Sequence, residues 1–224
     1  MRKKIICIVA ALSMLLLVPL TGCGAKDNTE DIKATVDGFM TSMQEGDIEG
    51  MKSYCDPALF EEGGTLASFN ELQSLETEFA SSVGMSEDEL SDKTKETIHN
   101  YVNEVLTKMI KSYEIGEITE EEENKAKVNV DVTFGFDPDK MDDVDIDGMA
   151  ETMAQDYMQE NMQDLTKIYQ EQGQTALMNK VLDDLAPDLL GAYVDEIMKT
   201  GEVNRSSVLT VENKDGKWLI TGEE

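Results

Sequence analysis

The chain has 224 residues, with 47 acidic side chains against 19 basic ones, one histidine and a formal net charge of −28. A surface of that sign repels nucleic acid and other polyanions, and among charged partners it selects cations, basic peptides or basic proteins. About 200 residues follow the leader described next, which suits one domain with an insertion or two small ones and is too few for the two-lobed solute-binding proteins of transporters.

The leader opens on Arg2, Lys3 and Lys4, followed over residues 5–18 by an uncharged, mostly apolar run. That run is shorter than the roughly 20 apolar residues a membrane span needs. Its charge, length and position are those of a secretory signal peptide, here residues 1–22. The next positions, Leu20-Thr21-Gly22-Cys23, resemble the lipobox of bacterial lipoproteins: an aliphatic residue and two small ones before the cysteine that takes lipid. The resemblance implies cleavage before Cys23, a lipidated tether over residues 23–30, and attachment to the extracytoplasmic face of the cell membrane. Each buried methylene of an acyl chain such as palmitate contributes about 0.8 kcal/mol, so two or three chains hold a domain stably where one does not. With Cys7 removed and Cys23 lipidated, Cys55 is the last of the three cysteines and no intrachain disulfide can form. Cys55 has no basic neighbour in sequence to stabilise a thiolate, and reads as a small buried hydrophobe.

In chain order, Thr29 is the expected cap of a helix over residues 30–44, with Ile32, Val36, Phe39, Met40 and Met43 on one face. Glu45-Gly46-Asp47 breaks it, and a short second helix carries Ile48, Met51 and Tyr54. Gly63 and Gly64 mark a turn, and helical segments are expected over residues 69–81 and 87–113. The period then drops to two. Tyr113, Ile115 and Ile118 precede an expected acidic turn at residues 120–123, after which Ala126, Val128, Val130, Val132, Phe134 and Phe136 alternate with polar residues as in a half-buried strand. Residues 137–147 read as an aspartate-rich linker. Residues 148–200 are helical again, with breaks expected at Gly173 and Pro187. A final hairpin turns at Asn213-Lys214-Asp215-Gly216, since Asp-Gly between apolar runs is a strong turn signal.

That order of elements suggests an α+β fold in which helices cover an antiparallel sheet. The opening, Ile32-Lys33-Ala34-Thr35-Val36-Asp37-Gly38-Phe39-Met40 through Gly46-Asp47-Ile48 to Tyr54, looks like the first helix pair of nuclear-transport-factor-two-like (cystatin-like) domains. The end, Ser207-Val208-Leu209-Thr210-Val211-Glu212 with Asp215-Gly216-Lys217-Trp218-Leu219-Ile220, is similar to the last hairpin of that family, where a Lys-Trp pair begins the closing strand. The resemblance covers residues 30–136 and 203–222. It implies a single α+β domain over residues 31–224, a cystatin-like roll with N-terminal helices on a curved antiparallel sheet. A helical insert at about residues 140–200 would lie between its two hairpins. Lipoproteins of Gram-positive bacteria combine such a domain with a lipobox. Domains of this shape serve as enzymes, binding modules and assembly parts alike, so no activity comes with the resemblance.

Four features could carry chemistry. Asp143, Asp145 and Asp147, followed by Gly148, begin as a helix–loop–helix calcium loop does, with carboxylates at positions 1, 3 and 5. Position 12, where a bidentate Glu closes the shell, is Ala154, so a weak calcium site competes with a solvated linker that caps the next helix through Asp147. Met149, Met153, Met158 and Met162 form a methionine set that suits helix packing or a partner groove; thioethers also bind Cu(I). His99 could act as a general base if the fold brought an Asp or Tyr to it, or could be a rim residue. The acidic runs at 87–89 and 120–123 read as solvated surface. The expectation is an extracytoplasmic, lipid-anchored, non-enzymatic module that binds a ligand or a surface protein. It would be held to the membrane through lipid on Cys23, with the insert as the binding or homo-oligomerising element. The alternatives are an enzyme using a pocket near His99 and a calcium-stabilised structural protein.

Overall fold

The computed structural model describes residues 28–224. The expected signal peptide, Cys23 and most of the expected tether lie outside the described residues. Helices and a four-stranded antiparallel sheet make the fold α+β. The chain divides into two compact units: one of residues 28–69, 106–135 and 202–224, the other of residues 70–105 and 136–201. The expected insert thus falls in the same unit as residues 70–105.

The first unit begins with α1 (Thr29–Glu45) and α2 (Ile48–Tyr54). Ile32, Val36, Phe39 and Met40 are all buried, as their spacing on one helical face requires. Thr29 is the first residue of the helix; Asn28 stands at the cap position, where its carbonyl accepts from the Ile32 N–H at 2.9 Å. Gly46 ends α1 in the left-handed region at φ 70°. From there its N–H donates to the Met43 carbonyl and the Asp47 N–H to the Ser42 carbonyl, which together close the helix end. Asp47 then caps α2 by accepting from the Gly50 N–H at 2.9 Å, so two adjacent residues stop one helix and start the next. Gly38 lets the helices approach: a Cβ there would lie 2.3 Å from the Tyr54 ring.

The sheet of this unit has the order β1 (Ile110–Glu122), β2 (Lys125–Phe134), β3 (Val203–Lys214) and β4 (Lys217–Glu223). Ala126, Val128, Val130 and Val132 of β2 are buried, and their partners across the ladder include Leu209 and Val211. Trp218 and Ile220 of β4 are buried as well. The Thr35 hydroxyl donates to the Trp218 carbonyl at 3.4 Å, and the Asp56 N–H to the Ile220 carbonyl at 2.8 Å, tying the helices to the closing strand. The last turn has positive φ at both Asp215 (55°) and Gly216 (88°), the geometry a two-residue hairpin favours.

The expected acidic turn at 120–123 is corrected: Glu120, Glu121 and Glu122 lie in β1, and only Glu123 and Asn124 turn the chain. Opposite charges explain why acids extend a strand here. Lys125 pairs with Glu122 in register, and the Lys127 ammonium lies 3.7 Å from Glu121 and 2.8 Å from Glu224.

The second unit contains α4 (Leu75–Ser82), most of α5 (Asp92–Met109), α6 (Ile146–Gln172) and α7 (Gln174–Lys199); its boundaries fall within α3 (Ala67–Gln73) and α5. The segment expected at 69–81 is therefore two helices parted at Ser74, and the one expected at 87–113 starts at Asp92 and yields to β1 at Ile110. Ser91 sets that start, since its hydroxyl accepts from the Thr94 N–H at 3.0 Å. Ala80, Leu90, Ile98 and Leu182 form one buried cluster, with Leu75, Phe79 and Leu190 packed on it, and Phe136, Ala186, Val194 and Ile197 are buried as well.

Gly173 separates α6 from α7 at φ 90°, and a hydrogen bond from Tyr157 to Asp184 at 2.5 Å shows the two helices folded back on each other. Pro187 is not a break: α7 runs through it. A proline has no N–H for the carbonyl four residues earlier. That carbonyl belongs to Asp183, and it accepts instead from the Lys93 ammonium at 2.7 Å. The Asp183 side chain accepts from the hydroxyls of Ser91 and Thr94 (Thr94 at 2.8 Å), while Asn179 accepts from the Ser91 N–H and donates to the Glu89 carbonyl. One face of α7 is thus hydrogen-bonded to the start of α5.

Candidate functional site

Cys23, the expected lipidation site, lies outside the described residues. The three aspartates of the calcium expectation are within them and take separate local places. Asp143 ends a 3-10 turn (Pro138–Asp143), Asp145 caps α6 by accepting from the Gly148 N–H at 3.0 Å, and Asp147 sits in the first turn of the helix. The cap is therefore Asp145 rather than Asp147. Among the described residues, no three His, Cys, Asp or Glu side chains gather so as to hold an ion.

His99 is exposed on α5, which is not the enclosed position a general base in a pocket would occupy. Cys55 is buried, and burial with Asp56 beside it pushes its thiol up to about 12, so it is an inert part of the core. Glu87, Asp88 and Glu89 form a 3-10 turn in which Glu89 and Ser86 cap each other. Among the described residues no buried side-chain nitrogen or oxygen lacks a hydrogen-bond partner.

Two polar groups escaped the reading of the sequence. Glu223 pairs with Leu209, which pairs with Val128, so its carboxyl lies on the apolar face of the sheet. Burial there raises its pKa, and a hydrogen bond from Ser207 offsets part of the rise. Tyr157 is pushed up to about 12 by burial and by the Asp184 carboxylate that accepts its hydroxyl hydrogen. Hydrogen bonds from Lys180 and Tyr157 hold Asp184 below the usual carboxylate range. The Tyr157–Asp184 pair joins α6 to α7, which is a structural role.

The feature left without an internal role is on α6. Among the described residues the large apolar side chains left exposed are Met158, Met162 and Tyr169, at 49, 63 and 56 % of their accessible surface. Their spacing of four and seven residues puts them on one line of the helix, three turns and about 16 Å long. Leu165, on the same line, is buried. The methionines do not act as one set. At about 100° per residue Met149 and Met153 fall on the opposite side of the helix from Met158 and Met162, so the four thioethers cannot converge on one ion. Met149 and Met153 are half-buried, whereas Met158 and Met162 face solvent.

The helix around this stripe is acidic. It carries Asp147, Glu151, Asp156, Glu160, Asp164 and Glu171, with Lys167 as its one basic residue. Helical spacing carries the stripe back toward the N-terminus onto Glu151 and Asp147, and puts Lys167 on the far side. Methionine is unbranched and polarizable, and adapts to the shape of what it meets. Such a surface can bury apolar side chains of a partner without a preformed pocket. Compared with known proteins, the chain matches no family model, and no curated protein or solved structure matches it.

Proposed function

We propose that this protein is a lipid-anchored, extracytoplasmic binding module that presents the outer face of α6 to a surface protein. The observation that carries the reading is the exposure of Met158, Met162 and Tyr169 in one line. Large apolar side chains on a highly charged chain are costly to leave in water, and several exposed along one helix mark an interaction surface more often than isolated ones do. Anchoring rests on the basic start of the chain, the apolar run of residues 5–18 and Leu20-Thr21-Gly22-Cys23. For the first unit we propose a cystatin-like roll. The support is the helix pair joined at Gly46-Asp47, lying on one face of a four-stranded antiparallel sheet that closes through Lys217 and Trp218.

The test is made on intact cells with the full-length protein. An alkyne-tagged fatty acid should label it, and Cys23→Ala should abolish the label. A photo-crosslinking residue at Met162 should give a discrete adduct, while the same residue at exposed Asn129 on β2 should not. Labelling that survives Cys23→Ala refutes the anchor. Equal or absent adducts at the two positions refute the binding face.

A further inference from the structure

We infer that the occupant of the α6 face is a cationic amphipathic segment of a partner protein, with an apolar row flanked by Lys or Arg. The inference rests on reading this face as a binding surface and adds the chemistry of what binds. Length is the first argument. Met158, Met162 and Tyr169 span three helical turns, the distance over which a partner helix presents anchors at i, i+4, i+7 and i+11. Chemistry is the second, because flexible thioethers beside one tyrosine can meet a row of aliphatic or aromatic side chains without demanding a fixed shape.

Charge decides among occupants. A second copy would bring another chain of net charge −28 against an acidic helix, which opposes self-association through this face. An anionic lipid surface is repelled for the same reason. A cationic segment gains from both features: its apolar row covers the stripe, and its flanking ammonium or guanidinium groups meet Glu151, Asp147 and the field of the chain. Steering by that field also predicts an association rate that falls with salt.

The test uses the lipidated full chain in zwitterionic nanodiscs, with empty nanodiscs as the blank. The probe is a synthetic peptide of Leu, Lys and Ala, about 18 residues long, with leucines at i, i+4, i+7 and i+11 and lysines on the flanks. Saturable one-to-one binding is expected, weakened about tenfold or more by raised salt and about tenfold or more by Met158→Ser with Met162→Ser. That double variant should keep the melting temperature of the parent, since both positions are exposed. A peptide of the same composition with the leucines scattered should bind more weakly, and one with Glu for Lys should not bind. Binding that ignores the two serines or the scattering of the leucines overturns the proposal, as does no saturable binding at all. A dimer in sedimentation that the two serines dissolve also overturns it, in favour of a second copy. If the Met162 adduct forms on cells while the peptide fails, this inference alone falls. If the adduct is also missing, the reading beneath it falls with it.

Discussion

The two units solve the same problem, hiding apolar surface from water, in different ways. In the sheet unit, β2 alternates buried and open positions over most of its length, and Ala126, Val128, Val130, Leu209, Val211, Trp218 and Ile220 are all nearly inaccessible. In the helical unit the buried apolar side chains, among them Ala80, Leu90, Ile98, Ala186, Val194 and Ile197, are supplemented by hydrogen bonds that Asp183 and Asn179 accept from the start of α5, and three large apolar side chains among the described residues remain outside. The comparison teaches where apolar residues serve stability and where they are left over for contact. A face sealed by a ladder and two helices has nothing to offer a partner. A long helix packed along only part of its circumference leaves Met158, Met162 and Tyr169 in solvent, with Leu165 buried beside them.

The largest effect should come from breaking the sealed face. Trp218→Ala removes a nearly buried side chain whose own carbonyl accepts from Thr35 on α1. Truncations of this kind cost about 3–5 kcal/mol, because the lost transfer energy is joined by that of the cavity. Urea denaturation followed by circular dichroism should show the midpoint fall accordingly. A change under about 1 kcal/mol would mean that the sheet unit is not the tightly packed one of the pair.

The counterpart in the helical unit is polar. Asp183→Ala leaves the Thr94 hydroxyl, which is fully buried, and that of Ser91 without their shared acceptor. Hydrogen bonds to a charged group contribute about 1.5–3 kcal/mol, so a loss of about 2–3 kcal/mol is expected, less than for Trp218→Ala. Asp183→Asn keeps one oxygen in place and should restore part of the loss. If asparagine and alanine cost the same, the carboxylate is not what holds α7 to the start of α5.

These two sites also mark what the sequence reveals and what it conceals. Wherever the cause of a structure is local, the pattern is readable: the 32–36–39–40 stripe of α1, the Gly46-Asp47 break, the alternation of β2, the Asp215-Gly216 turn and the Gly173 break. It fails where a distant residue supplies the cause. Pro187 reads as a break because nothing near it replaces the missing N–H, whereas the donor is Lys93, on another helix. The glutamates at 120–122 read as loop because the lysines that favour them in a strand face them across the hairpin turn. The α6 stripe was half legible. Its residue types suggested a contact surface, but which methionines face out depends on how α6 sits on α7, and that divides Met149 and Met153 from Met158 and Met162.

The smallest effect expected is a stabilising one, and it sharpens the account of the sealed face. Glu223 is the acid that the β3–β4 register puts among apolar side chains, and burial raises its pKa above that of a free glutamate. The folded state therefore holds this proton more tightly than the unfolded state does. Between the unfolded pKa and the raised folded one, the native chain carries more bound proton, so stability falls as pH rises through that window. Above it the carboxylate is ionised in both states, and the cost of burying the charge is present in full. Glu223→Gln keeps the shape and a hydrogen-bonding oxygen for Ser207 while removing the charge. It should raise the melting temperature at neutral pH, and the gain should shrink as pH is lowered through the raised pKa toward the ordinary glutamate range. A gain that persists unchanged under acid would show that packing, not ionisation, separates the two side chains. A loss at neutral pH would mean that the bond from Ser207 outweighs desolvation and that the sheet face tolerates this charge without penalty.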